Sequence, residues 1–279
     1  MPVIAVINRK GGSGKSTFAA HVAVWCAKQG HAVMLGDVDK QQSSRNWLRR
    51  RPSHVPSVAP WAMAQNMLKV PAGISHVVLD TPGGIHGFEL ARVVMAADAI
   101  VMPVCSSMFD RESAAQCHAE LIALPRVASG RCRIGVVGMR IDGRTHHASM
   151  MQAWADAIGV PFLGVLRETQ LYTRTLEKGL TLFDLPESQT ETDLAQWAPV
   201  LGWLEPVMSP LQAANDGAVV RAPVTRIASS RPDSLMPAQD SMVHGSRLAP
   251  SLARVADQSR AAASTLAGSR SVVPQFLKR

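Results

Sequence analysis

Val3-Ile4-Ala5-Val6-Ile7 runs through Asn8-Arg9 into Lys10-Gly11-Gly12-Ser13-Gly14-Lys15-Ser16-Thr17. An apolar strand enters a glycine turn and the turn enters a helix, the layout of a phosphate-binding P-loop. Glycines let successive backbone N–H groups converge on an anion, and the helix N-terminus adds partial positive charge. In this layout residues 11–17 cradle the phosphates, Lys15 reaches the outer ones and the Ser16 hydroxyl ligates Mg²⁺. The stretch therefore implies a bound nucleoside triphosphate.

The loop departs from G-x-x-x-x-G-K-[ST], because Arg9 stands where that pattern has glycine and a second lysine, Lys10, follows it. These residues resemble the deviant Walker A loop of the ParA/MinD superfamily, K-G-G-x-G-K-[ST]. The resemblance implies ATP with Mg²⁺ as cofactors. It also implies a homodimer formed on ATP binding, in which Lys10 crosses the interface to the partner's nucleotide. Physically, that is an arginine finger supplied in trans, which neutralises charge developing on the transferred phosphoryl group. Lys10 is thereby expected to be both nucleotide-binding and catalytic.

Two further segments extend the resemblance. Gly36-Asp37-Val38-Asp39-Lys40-Gln41 is similar to the family's D-x-D-P-Q segment and ends an apolar strand, at the sheet edge where ligands bind. By resemblance Asp39 orients the attacking water and Asp37 supports the magnesium shell; Lys40 replaces the usual proline. His76-Val77-Val78-Leu79-Asp80-Thr81-Pro82-Gly83-Gly84 fits a Walker B strand, with Asp80 holding Mg²⁺ through water. The family commonly reads D-T-P-P-G, so Gly83 replaces a proline and is expected to loosen the switch loop. A weaker echo of P-x-Q-P-S-x-x-D is Pro103-Val104-Cys105-Ser106-Ser107-Met108-Phe109-Asp110, where Cys105 replaces a polar residue. Arg140 is placed with the nucleotide-binding residues.

The spacing predicts strands at 3–7, 32–36, 76–80, 99–104, 133–138 and 162–166. It predicts helices at 15–29, 41–50, 87–96, 111–124, 147–158 and 170–178. Their alternation reads as an α/β fold, a doubly wound, mostly parallel sheet flanked by helices. Phe18, His21, Val22 and Trp25 recur at helical spacing and predict a face packed on the sheet, with His21 a core or edge residue rather than a ligand. His146 and His147 are adjacent and diverge on a helix, so no metal site is read there.

The 279 residues are 47% hydrophobic, enough for one α/β core. Cys26, Cys105, Cys117 and Cys132 are scattered, with no C-x-x-C pair to suggest zinc or a disulfide framework. No signal peptide and no apolar run of membrane-spanning length is read, which predicts a cytoplasmic protein; the resemblance adds nucleoid association.

The domain boundary is expected at 207/208: an ATPase domain over 1–207, then an Ala/Ser/Pro/Arg-rich, basic, disordered tail over 208–279. Residues 209–279 hold eight arginines, one lysine and four aspartates, a net of +5 within the chain's +8. A short helix at 246–266 is possible by its apolar spacing.

By resemblance, closing helices of relatives bind DNA without sequence preference, and Arg167, Arg174 and Lys178 are the candidates here, against the plain alternative of a solvated charged face. The expected function is an ATP-dependent dimerising ATPase. A ParB-like protein or cargo adaptor would stimulate its hydrolysis, and it would segregate plasmid or chromosome DNA or position protein cargo. The alternative is a MinD-like, membrane-associated spatial regulator or assembly factor. A nitrogenase-iron-protein-like reductase would need cluster cysteines, for which Cys105 and Cys132 are the only candidates. A synthetase acting on a small acid would need substrate motifs that are not found.

Overall fold

The computed structural model describes residues 1–38, 41–62 and 70–209. The expected 246–266 helix and nearly all of the expected tail lie outside them. Seven strands form one sheet: β1 (Val3–Val6), β2 (Val33–Asp37), β3 (Ala59–Ala62), β4 (His76–Asp80), β5 (Ala99–Val104), β6 (Arg133–Met139) and β7 (Phe162–Leu166). The helices are α1 (Lys15–Lys28), α2 (Ser43–Leu48), α3 (Gly87–Ala96), α4 (Met108–Ile122), α5 (Pro125–Ala128), α6 (His146–Ala157), α7 (Gln170–Glu177) and α8 (Glu187–Met208). The strand order is β3-β2-β4-β1-β5-β6-β7, and every pairing is parallel. The expected α/β class and parallel sheet are observed.

The strands read as continuous apolar runs because both faces are covered. Ile4 and Val6 point into one core layer with Val33, Leu35 and Val78, packed under α1 and α8. Val3, Ala5 and Ile7 point into the other, with Val77, Leu79 and the α3 residues Leu90 and Val93. β1 lies at the centre, between β4 and β5, so the loop after it opens at the middle of the carboxyl edge.

Three elements are absent from the sequence expectations: β3, the four-residue α5 and α8. β3 is four residues long and carries Pro60, which an edge strand tolerates because it need not donate on its outer side. α8 contains Pro199 and Pro206, which obscure its helical spacing. It is held by packing: Trp197 is fully buried and stacks on Phe18 at a centroid distance of 5.0 Å. α1 is thus buried beneath the sheet and beneath α8, and the Phe18–His21 stripe meets a helix layer that the sequence reading did not contain. α8 continues to Met208, just past the expected boundary, and the Met208 carbonyl accepts a hydrogen bond from His76 Nε2 at 2.7 Å.

His21 is a core residue. Its Nδ1 donates to the Thr17 carbonyl at 2.7 Å, and its Nε2 accepts from the Leu182 N–H at 3.2 Å. Its ring stacks on Trp197, with Tyr172 and Phe183 edge-on. Burial pushes its pKa down to about 4, against smaller raising effects of the Thr17 carbonyl and Asp184. The unfolded chain therefore binds a proton on His21 between its ordinary value of 6.5 and about 4, where the folded chain does not. Stability from this group is complete above pH 6.5 and is lost as pH falls to about 4, with a span of about 3 kcal/mol. Asp80, raised to about 6, acts with the opposite sign over much of that window. The test is therefore a difference: urea titrations at several pH values should show a shallower acid loss in His21→Gln than in the unsubstituted protein. Parallel profiles would remove His21 from the pH dependence.

Candidate functional site

The described residues of the candidate site lie on the strand ends, loops and helix starts at the carboxyl edge of the sheet. After β1 the chain turns through Gly12 (φ 76°) and Gly14 (φ 91°), backbone angles that a side chain disfavours, and Gly14 caps α1. Lys15, only 7% exposed, donates from Nζ to the Lys10 carbonyl at 3.0 Å, so its ammonium is folded back over its own loop. Asn8 is fully buried: its Nδ2 donates to the Pro103 carbonyl at 2.6 Å and its Oδ1 accepts the Lys10 N–H at 3.0 Å. This side chain ties the loop to β5. Sequence reading passed over Asn8; its only signal was a polar residue between an apolar strand and the glycines.

Asp37 and Asp80 are direct partners in the β2–β4 register, so both carboxylates reach the same edge side by side. The Asp37 carboxylate accepts the Arg45 N–H at 3.1 Å. Asp80 Oδ2 accepts the Ser44 hydroxyl at 2.6 Å, whereas the buried Oδ1 has no hydrogen-bond partner among the described residues. Burial, helped by Asp37, outweighs the Ser44 and Ser16 hydrogen bonds and the nearby Lys15 and raises the Asp80 carboxyl to about 6. Two adjacent carboxylates, one with an unsatisfied buried oxygen, and the Ser16 hydroxyl form a hard oxygen set that fits a hydrated Mg²⁺. Ser44 was not anticipated; it came into place only when α2 folded over the edge.

Gly83 has a role other than the expected loosening. A Cβ there would lie 3.3 Å from both the Cα and the N of Gly11, and the next residue, Gly84, donates its N–H to the Arg9 carbonyl at 2.5 Å. The loop after β4 is laid directly on the P-loop backbone, and the absence of a side chain allows that approach. Thr81 fixes the same loop from below, its hydroxyl donating to the Val6 carbonyl at 2.7 Å.

Lys10 pairs with Asp110 at 2.8 Å, its side chain 39% exposed. Asp110 lies in the first turn of α4, which Ser107 caps. Burial raises the Asp110 carboxyl, but hydrogen bonds from Lys10 and Ser107 outweigh this and hold it below the usual carboxylate range. Cys105 lies in the same neighbourhood, half-buried, its thiol pushed up by burial and by Asp110. Asp39 and Lys40 lie outside the described residues.

The cleft these elements enclose measures about 290 Å³ and is lined by Gly12, Lys15, Ser16, Thr81, Gly83 and Arg140 among others. Arg140 follows β6 with φ 59°, unusual for a residue with a side chain, and stands on the cleft's rim. A second hollow of about 170 Å³ adjoins it through Gly14 and Arg140 and continues to Met139, Glu168 and Tyr172. Of the three cations expected to bind DNA, Arg167 forms a bidentate pair with Asp193 at 2.7 and 3.0 Å. Arg174 and Lys178 are exposed on or just after α7.

Comparison with known proteins agrees with this geometry. Residues 4–182 match the family described as "CobQ/CobB/MinD/ParA nucleotide binding domain". The maintenance of carboxysome distribution protein A of Gloeobacter kilaueensis is 31% identical over 189 residues, 64% of this chain and 83% of its own. Its namesake from Halothiobacillus neapolitanus is 24% identical, covering 65% and 87%. The chromosome-partitioning ATPase Soj of Thermus thermophilus is 27% identical over 54% of this chain and 74% of its own. Among solved structures, apo McdA of Cyanothece superposes with a TM-score of 0.58 at 15% identity, covering 72% of this chain and all of that one. MinD of Pyrococcus horikoshii with Mg-ADP superposes with 0.55 at 15% identity, covering 74% and 98%. Both share the fold.

Proposed function

The chain belongs to the CobQ/CobB/MinD/ParA nucleotide-binding family, and we propose that it is an ATP-dependent dimerising ATPase that binds DNA without sequence preference and uses partner-stimulated hydrolysis to segregate DNA or position cargo. The observation that carries this reading is the second lysine. Lys10 is 39% exposed and pairs with Asp110; in the dimer it would leave that pair and reach the nucleotide held by the other copy. Phe88, Met108 and Phe109, at the starts of α3 and α4 near the same edge, are 78%, 54% and 67% exposed. Apolar side chains left in solvent beside the cleft support a second copy as the occupant of this face.

In this reading the P-loop backbone and Lys15 hold the phosphates, and Arg140 stands between the phosphates and the nucleoside, which lies toward the smaller hollow. Mg²⁺, when bound, offsets charge on the phosphates. Ser16 would ligate it and Asp37 and Asp80 would hold its waters. Asp39 orients the attacking water and Lys10 of the other copy neutralises the developing charge. The relatives' names, carboxysome distribution and chromosome partitioning, support a positioning role. A nucleoid-bound location in the cytoplasm follows from the same reading, as do a ParB-like or cargo-adaptor partner and a slow basal rate. No helix among the described residues is long and apolar enough to cross a membrane. The basic residues of 208–279 would add salt-sensitive phosphate contacts.

Filter binding to a random-sequence duplex tests the proposal with ATP, ADP or no nucleotide, at two salt concentrations. Asp39→Ala serves as the form that binds ATP without turnover. Retention only with ATP, falling steeply as salt rises, is expected. Lys10→Ala should keep ATP binding yet lose ATP-dependent retention. Equal retention in all nucleotide states, or none in any, refutes the DNA part. A Lys10→Ala protein that dimerises and turns over normally refutes the role in trans.

A further inference from the structure

Between Lys40 and Asp80 the chain carries four arginines and no aspartate or glutamate. One of them, Arg51, is engaged by Asp184 and also donates to the Gly179 carbonyl at 3.3 Å. These bonds pin the end of α2 against the end of α7. The approach is close: a Cβ on Gly179 would lie 2.3 Å from the Arg50 carbonyl carbon and oxygen, and the φ of 72° also favours glycine there. Arg49 and Arg50 follow α2 directly, and Lys178 follows α7 and precedes that glycine, so the three meet at one seam. Arg174 stands one turn before Lys178, on the same side of α7. All four cations are exposed, and none forms an ion pair among the described residues. Arg49 and Arg174 bond only the neutral amides of Asn46 and Gln170, which leave their charge whole. Glu177 is the one acidic side chain on α7. Arg167, by contrast, is matched by Asp193 and adds nothing to the ridge.

We propose that Arg49, Arg50, Arg174 and Lys178 form one ridge, across the seam of α2 and α7, that takes the phosphate backbone of duplex DNA. The proposal rests on the DNA-binding reading and gives it a place, with α2 supplying half of the cations. Clustered cations without counter-charges repel one another, and a polyanion laid across them relieves this while releasing its own condensed counterions. Contacts to phosphate alone carry no sequence information, which suits a duplex bound without sequence preference. No large side chain of α2 or α7 is among the exposed apolar ones of the described residues, whereas a surface that lies in a lipid interface needs them. The Arg51–Asp184 pair and the Gly179 contact fix the seam before DNA arrives, so binding has little backbone left to order.

The full-length protein with Mg-ATP is titrated against a fluorescein-labelled random-sequence duplex, with anisotropy read at several salt concentrations. Arg50→Gln combined with Lys178→Gln should weaken binding by about tenfold and flatten the plot of log affinity against log salt by about two or more. Arg131→Gln combined with Arg144→Gln removes the same formal charge from exposed positions away from α2 and α7 and should leave the affinity within about twofold. Glu177→Lys should tighten binding and steepen the slope by about one, a gain that a poorly folded variant would not give. Equal losses in the two double variants, or no loss in the first, overturn the ridge while DNA binding stands. No binding by the unsubstituted protein in any nucleotide state refutes the DNA reading and the ridge with it. Capture of phosphatidylserine vesicles in place of the duplex assigns these cations to a lipid surface and overturns the proposal.

Discussion

Lys15→Ala should weaken binding of ATP and ADP by at least about 100-fold, about 3 kcal/mol, the worth of charge-assisted hydrogen bonds lost from a largely buried site. Lys15 is 7% exposed, and its ammonium is already held over the loop by the Lys10 carbonyl. A group so placed needs little reorganisation to meet phosphate oxygens, and its removal leaves the cleft with backbone N–H groups, Lys10 and Arg140 as counter-charge. Because Nζ also props the loop, part of the loss is positional. Isothermal titration with ADP measures the total, and a thermal melt without nucleotide separates the two contributions. Binding within about tenfold of the unsubstituted protein would mean that the phosphates lie elsewhere in the cleft.

The largest expected effect on stability lies far from the nucleotide. Arg51→Met should destabilise the protein by about 3–5 kcal/mol, since it leaves one charge of a buried pair without its partner. Arg51 holds Asp184 through two hydrogen bonds, at 2.9 and 3.0 Å, and the two side chains are 4% and 0% exposed. The guanidinium also donates to the Pro56 carbonyl at 2.8 Å, and the aspartate accepts from the Thr181 N–H and hydroxyl. The pair thereby joins the chain after α2 to the turn before α8. Burial raises the Asp184 carboxyl, but the Arg51 and Thr181 hydrogen bonds outweigh it and hold the group below its ordinary value. A depressed carboxyl contributes stability above its unfolded value that is lost on acidification through the folded one. Urea unfolding should show a lower midpoint for Arg51→Met at neutral pH and a smaller acid loss from this group. Arg51→Met combined with Asp184→Leu should recover much of the deficit, because an apolar pair replaces the ions without leaving a lone charge. A double variant as unstable as the sum of the singles would show that the pair acts through its backbone partners instead.

The contrast between these two residues shows what a single chain reveals before it is folded. Lys15 is placed by local sequence: strand, glycines, lysine and helix are consecutive, and the proposed phosphate cradle is made of their own backbone. Asp80 was legible for a similar reason, four apolar residues leading to one carboxylate. Arg51 was silent, since nothing near it in sequence announces Asp184. Asn8 and Ser44 fell between these cases. Each lies beside a motif, but its partner, Pro103 or Asp80, becomes a neighbour only when β5 or β4 is laid against the P-loop. Gly83 was read through its conformational freedom, whereas its packing against Gly11 decides its use.

The sequence by itself determined the alternation of apolar strands and helices, the parallel α/β class, the family, and the carboxyl edge as the place of the candidate site. Those properties reside in periodicity and in short contiguous motifs, which local backbone physics reads directly. Tertiary structure alone decided that Pro60 belongs to an edge strand and that a helix with two prolines closes one layer. It also decided that His21 is neutral and stacked on Trp197, and that Lys10 rests on Asp110. These depend on groups distant in the chain being brought within a few ångströms, where burial and pairing outweigh local propensity.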